Sequence, residues 1–219
     1  AAWNAGKRSG TFTAPKFEID VAKSPIPRFD LIKFEHYLYA SVQYSRGCPF
    51  TCEFCDIIEL YGRVPRTKAT PQILAELDRL YALGHRGHVD FVDDNLIGNK
   101  KALKQFLPSL KAWQQEHDYP FEFSTEASVN LSDDDELMRM MRDAGFFGIF
   151  IGIESPDPDT LVMVKKKQNT RRNLIDSIHK IYQAGMFVTG GFIIGFDSEK
   201  TDVGDSLAQF IEYSAIPVA

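Results

Sequence analysis

The sequence predicts an α/β fold in which parallel strands form part of a (β/α) barrel. Three observations carry this. Strand-like and helix-like segments alternate at intervals of roughly 35–40 residues, the spacing of βα units. The run Phe147–Ile153 (FGIFIGI) has no polar alternation, as in a strand covered on both faces. Five such units are legible, fewer than the eight of a closed barrel.

Residues 1–38 read as a linker or N-terminal arm. Gly6, Gly10, Pro15, Pro25 and Pro27 punctuate them and exclude regular helix around 24–29. Tyr39–Tyr44 is a short β-prone run. A helix follows over Pro71–Leu83, with Thr70 as N-cap, an apolar stripe of Ile73, Leu74, Leu77, Leu80 and Tyr81, and Gly84 as its stop. His88–Val92 is the second strand. Asn99–His117 is a helix that Pro108 should kink. Phe121–Ala127 is the third strand. Ser132 is the expected cap of the next helix, whose acidic start, Asp133 to Glu136, suits the helix dipole better than a metal site. Phe147–Ile153 is the fourth strand. Thr170 should cap a helix ending at Gly185. Phe187–Phe196 is the fifth strand, and 202–214 reads as helix. The core is therefore placed at 39–219, incomplete at its C-terminal end. The chain lacks an initiator Met, so a piece of a longer protein is expected.

The chain has 219 residues, 44% of them hydrophobic and 25% charged, ordinary values for a globular domain with a large core. Its net charge of −5 gives no basic footprint for nucleic acid, and no partner of that kind is expected. No apolar run is long enough for a membrane span. The three cysteines all lie between 48 and 55, a poor disulfide framework. Close thiols suit a metal site in a reducing compartment, so a cytoplasmic protein is expected.

The cysteine run reads Arg46-Gly47-Cys48-Pro49-Phe50-Thr51-Cys52-Glu53-Phe54-Cys55-Asp56, or Cys-x3-Cys-x2-Cys. It follows the first strand, at the end where α/β folds bind ligands. Three thiolates leave one iron of a four-iron cluster open. A closed zinc site would need a fourth ligand, and neither His36 nor His85 has zinc-finger spacing. Buried structural cysteines, a zinc site and an iron–sulfur cluster are the readings the residues leave open.

This motif, with Phe54 just before its last cysteine, resembles the signature of the radical S-adenosylmethionine (SAM) superfamily over about residues 39–200. The resemblance implies a radical SAM core, a partial TIM-like barrel, with a 4Fe–4S cluster on Cys48, Cys52 and Cys55. Its open iron would chelate the amino and carboxylate groups of SAM. Reductive cleavage would then yield a 5′-deoxyadenosyl radical, with flavodoxin or ferredoxin as electron donor. The other strand ends supply the SAM contacts so implied. Asp93 and Asp94, in Phe-x-Asp-Asp-Asn instead of the common Gly-Gly-Glu, can accept from the SAM ammonium; the plain alternative is an Asx turn. Glu126 can bond an amine or ribose, or simply backbone. Glu154 and Ser155, at the rim of an apolar strand, match a ribose or methionine contact; a carboxylate there is costly unless paired. Gly191, Ile193 and Gly195 resemble the adenine-contacting Gly-x-Ile-x-Gly, though Phe196-Asp197-Ser198-Glu199 departs from the usual Leu-Pro-Gly-Glu. The basic run 165–172 reads as solvated surface, from which Arg171 can still hold the SAM carboxylate. Tyr61–Arg66 should cover the cluster, with Arg63 or Arg66 touching it.

The cysteine run, the Asp-Asp-Asn-Leu-Ile-Gly run at 93–98 and the Pro-x-Pro-Arg-Phe-Asp linker at 25–30 resemble the cobalamin-binding branch, hopanoid C-2 methylases among them. That implies methylation of a small-molecule or lipid substrate, with cobalamin in the full-length protein. A ring-forming or rearranging radical SAM enzyme and a non-catalytic metal-binding module are the alternatives.

Overall fold

The computed structural model describes residues 4–11, 13, 15–199 and 202–219. Of the arm, residues 1–3, 12 and 14 lie outside this set. The strands are β1 (Ala40–Val42), β2 (Ser45–Arg46), β3 (Arg66–Thr67), β4 (Gly87–Phe91), β5 (Phe121–Ala127), β6 (Phe146–Glu154) and β7 (Phe187–Phe192). The helices are α1 (Ile57–Leu60), α2 (Thr70–Ala82), α3 (Lys100–Glu116), α4 (Asp135–Asp143), α5 (Pro158–Met163), α6 (Leu174–Gln183) and α7 (Val203–Ser214).

Five strands form one parallel sheet in the order β1-β4-β5-β6-β7, the order of the chain itself. Each crossover but the last step to α7 returns through a helix to the neighbouring strand, as βα units require. The result is the partial (β/α) barrel. After α7 the chain returns beside β7, where Gly190 N donates to Val218 O at 2.9 Å.

Side chains alternate across this sheet. One face carries Val89, Phe91, Phe123, Ile149, Ile151 and Val188, all essentially buried beneath the helices. Phe91 lies at its centre, with ring centroids 5.2 Å from Phe123 and 5.3 Å from Phe146. The opposite face is the inside of the barrel. It carries His88, Asp90, Ser124, Glu126, Phe150 and Thr189 around a cavity of about 220 Å3. Phe150 is 43% exposed there. The expectation that β6 is covered on both faces therefore fails at this residue, because a partial barrel leaves its inner face open.

Several element ends differ from the sequence reading. Thr70 lies inside α2 and Ala69 takes the cap position, with no side-chain capping bond. Ser132 belongs to a short 3-10 turn, and Asp134 caps α4 by accepting from Leu137 N at 3.0 Å. Thr170 bonds the Lys167 carbonyl, and Asn173 caps α6. At α4 and α6 the residue immediately before the first helical turn holds free amides with its side chain, and at α2 no side chain does. Helix α3 runs through Pro108. Strand β7 ends at Phe192, before Gly195 turns to φ +111°.

The arm lies against the core through Val21 and Phe29, both buried. Gln72 Nε2 holds it by donating to the carbonyls of Val21 and Ser24 at 3.2 and 2.9 Å. No helix among the described residues is long and apolar enough to cross a membrane.

Truncating Phe91 leaves a cavity between rings that cannot collapse into it. Phe91→Ala is expected to cost about 3–5 kcal/mol in urea unfolding.

Candidate functional site

The cysteine loop is held at both of its ends. Strands β2 and β3 pair antiparallel, Ser45 with Thr67 and Arg46 with Arg66, and so close the loop between them. Inside it, Cys48 N donates to Gly62 O at 3.2 Å. Gly47 has φ +105°, and a Cβ there would meet Gly62 O at 2.9 Å and Val64 O at 3.1 Å. Only glycine satisfies both demands at the turn that enters the loop.

The acidic end of β4 anchors this entry. Asp93 is 1% exposed. Its Oδ2 accepts from Tyr44 N at 2.9 Å, and its Oδ1 from Ser45 N and from Ser45 Oγ at 2.5 Å. Asp94 Oδ2 accepts from Gly47 N at 2.7 Å. Burial pushes the carboxyl of Asp93 up to about 7 and raises that of Asp94. Three donors on Asp93 favour its ionised form and oppose that shift. Asp93 thus spends both oxygens on the chain turn, not on an open site.

Two amides face the cysteine sulfurs. Asn95 Nδ2 lies 3.8 Å from Cys48 Sγ and also donates to Ser128 Oγ at 3.0 Å. Gln168 Nε2 lies 3.5 Å from Cys52 Sγ. The carbonyl oxygens of both amides are buried without a partner. All three cysteines are free, and Cys48 has its thiol raised by burial, with Cys52 and Cys55 adding to the shift. Among the described residues, no three His, Cys, Asp or Glu side chains gather around one point as ligands of a single ion. Neighbouring thiols that receive amide N–H groups are a donor set suited to an iron–sulfur cluster, whose sulfurs accept such bonds.

The far side of the site comes from β6 and the segment after α5. Glu154 has φ +65°, and its Oε1 lies 2.6 Å from Lys166 Nζ, with both side chains 10% exposed. The carboxylate at the strand rim is therefore paired. A Cβ on Gly152 would meet Glu154 Oε1 at 2.2 Å, so the pair lies directly over this glycine. Asn169 Nδ2 donates to the carbonyls of Gly152 and Ile153 at 3.1 and 3.0 Å. Lys166 Nζ also lies 5.6 Å from the Phe54 ring centroid. Ser155 is buried, and its Oγ accepts from Asp157 N at 3.2 Å. Lys166, Gln168 and Asn169 are all buried, so the run read as solvated surface is half turned inward. Sequence reasoning missed these three and Asn95. The available signal was the pair of amides closing a lysine run.

The remaining candidates separate. Ile193 N donates to Glu154 O at 2.9 Å, which sets β7 beside the Glu154 turn. A Cβ on Gly191 would meet the Phe150 ring at 2.7 Å. Gly195 N donates to Glu199 Oε2 at 2.7 Å, so the departing sequence after Gly195 still closes a turn. Glu126 lies inside the barrel, with a buried Oε2 that lacks a partner. Arg171 is exposed at φ +59° and lines a surface pocket with Pro156, Leu161 and Phe210. Arg63 donates to Pro49 O at 3.4 Å, within the cysteine loop. Arg66 instead bonds the carbonyls of Ile19 and Tyr61 at 2.6 and 3.0 Å, and so ties down the arm.

Comparison with known proteins matches residues 42–210 to the Radical SAM superfamily. An uncharacterized methyltransferase of Synechocystis sp. is 55% identical over 97% of this chain and 39% of its own length. The hopanoid C-2 methylase of Rhodopseudomonas palustris is 43% identical over 97% of this chain and 40% of its own. The chain thus spans about two fifths of these relatives. Among solved structures, the radical SAM methyltransferase TsrM from Kitasatospora setae, with cobalamin and a 4Fe–4S cluster bound, shares the fold. Its TM-score is 0.72 at 15% identity, over 90% of this chain and 39% of that one.

Burial, with Asp90 adding, pushes the carboxyl of Glu126 up to about 7 from 4.5. The folded chain then keeps a proton that the unfolded chain has released. This contribution to stability is complete below the unfolded value and is lost as pH rises through 7. In urea unfolding of the apoprotein, stability should fall between pH 4.5 and 7. The Glu126→Gln variant should fall less steeply across the same window.

Proposed function

Because the chain belongs to the radical SAM superfamily, we propose that Cys48, Cys52 and Cys55 hold a 4Fe–4S cluster whose open iron takes SAM, and that the enzyme methylates an unactivated carbon. The observation that carries this reading is the Cys-x3-Cys-x2-Cys loop at the sheet's C-terminal edge, with amide donors on two of its sulfurs. When bound and reduced, the cluster supplies the electron that splits SAM into methionine and a 5′-deoxyadenosyl radical.

The chain's own residues bind, orient and shield. Asp93 and Asp94 fix the cysteine loop through Tyr44, Ser45 and Gly47. The rest of Asp94 and the unpartnered oxygen of Glu126 are acceptors for the SAM ammonium. Arg171 serves its carboxylate. Glu154, paired with Lys166, and Ser155 meet the ribose. Gly191, Ile193 and Gly195 offer backbone and apolar surface to the adenine, and Phe54 shields the cluster edge. The barrel interior keeps competing hydrogen donors away from the radical.

Methyl transfer is favoured by the relatives. The likeness to the two methyltransferases is 55% and 43%, against 25% for an anaerobic magnesium-protoporphyrin IX monomethyl ester cyclase. By similarity to that branch, the full-length protein would hold cobalamin, which would supply a carrier for the methyl group. The substrate is a small molecule or lipid, flavodoxin or ferredoxin supplies electrons, and the reaction takes place in the cytoplasm.

Anaerobic reconstitution with iron and sulfide should give a brown protein that releases 5′-deoxyadenosine from SAM and dithionite. Cys48→Ala, Cys52→Ala and Cys55→Ala should each reduce that product to background. A colourless protein with stoichiometric zinc and no product contradicts the proposal.

A further inference from the structure

We infer that Gln168 is a positioning residue that sets the reduction potential of the cluster through its amide bond to Cys52 Sγ. The inference rests on the cluster reading above and goes beyond it, since it assigns a role to a segment that contains no ligand.

The segment is built to hold this one amide. Helix α5 ends with Lys165 at φ +57°. Lys165 N then donates to Val162 O and Lys166 N to Leu161 O, at 3.1 and 2.9 Å. This paired pattern is a Schellman stop, and it fixes the exit direction of the chain. A 3-10 turn over Lys167–Asn169 follows. Asn169 nails that turn to the end of β6 through the Gly152 and Ile153 carbonyls. The cysteine loop is docked onto the same segment, with Glu53 N donating to Val164 O at 3.0 Å. Gln168, 7% exposed, is left with its amide nitrogen 3.5 Å from Cys52 Sγ.

The amide orientation is set by chemistry. A thiolate accepts hydrogen bonds, so only the NH2 end of Gln168 can face it. Its oxygen is buried without a partner, a cost that the bond to sulfur must offset. Other polar groups nearby have weaker claims. Lys166 is paired with Glu154 at 2.6 Å. Asn95 stands further from its sulfur, at 3.8 Å, and shares its NH2 with Ser128. The Gln168 dipole is uncompensated and sits in a low-dielectric pocket, where it acts most strongly.

Reduction adds one electron and no proton to the cluster. The sulfurs become more negative, and an N–H donor then stabilises the reduced state more than the oxidised one. Loss of the bond therefore moves the potential to more negative values and makes electron delivery harder.

The test is an EPR-monitored redox titration of the reconstituted protein, with dithionite as reductant. Gln168→Met keeps the volume and removes the N–H donors; Gln168→Glu keeps the shape and adds an acceptor. Both should hold a full complement of iron and sulfide. Both should shift the reduction equilibrium about tenfold toward the oxidised form, about 59 mV for one electron. Lys167→Ala, on the exposed side of the same turn, should leave the potential in place. Fully loaded Met and Glu variants with the parent's potential would overturn the inference. A parent protein that assembles no cluster would overturn the cluster reading itself, and this inference with it.

Discussion

The bonds that the amides of Tyr44, Ser45 and Gly47 donate to Asp93 and Asp94 decide where the cysteine loop leaves the sheet. Strand β1 is short, and the chain that leaves it through β2 (Ser45–Arg46) into the cysteine loop needs an external anchor. The end of β4 provides one, because β1 and β4 are neighbours in register, with Val42 opposite Phe91. Each carboxylate oxygen on a backbone N–H removes a polar group that would otherwise be buried unpaired. The same two residues thus complete the strand end and orient the chain that carries the thiols.

The opposite wall is fixed by a separate set of bonds, from Lys166, Gln168 and Asn169 to Glu154, Cys52 and the last carbonyls of β6. Glu154 sits in the left-handed region, an uncommon place for a residue with a side chain. The salt bridge and the Ile193 N–H on its carbonyl hold it there. The site is therefore clamped between two walls, each built on the C-terminal edge of the sheet. The inner face of the barrel lies between them, lined by Asp90, Ser124, Glu126 and Phe150.

Much of this was legible in the sequence because it follows from periodicity and from rare residue types. Phe121–Ala127 was placed to the residue, and the strand-helix alternation gave the parallel order. The cysteine spacing, with Phe54 before the last cysteine, carried the resemblance to the family that the match over 42–210 bears out. Helix starts were less legible. Ser132 and Thr170 are good caps in isolation, yet Ser132 lies inside a 3-10 turn and Thr170 closes one, and Asp134 and Asn173 do the capping. The lysine run 165–167 has the composition of surface, but the tight stop after α5 buries Lys166 and Gln168 and leaves Lys165 and Lys167 in water. Such burial depends on a positive φ at a non-glycine residue, which composition does not reveal. Asp93 was legible as a polar strand end, but its engagement with backbone depends on the strand order, which pairs β1 with β4.

Three cysteine ligands leave one iron of the proposed cluster free for SAM. Mössbauer spectroscopy of the protein reconstituted with 57Fe tests this most directly. The expected spectrum is that of a four-iron cluster in which one iron has its own signal, and that signal alone shifts when SAM is added. Four irons that do not respond to SAM, or no iron retained at all, would contradict it.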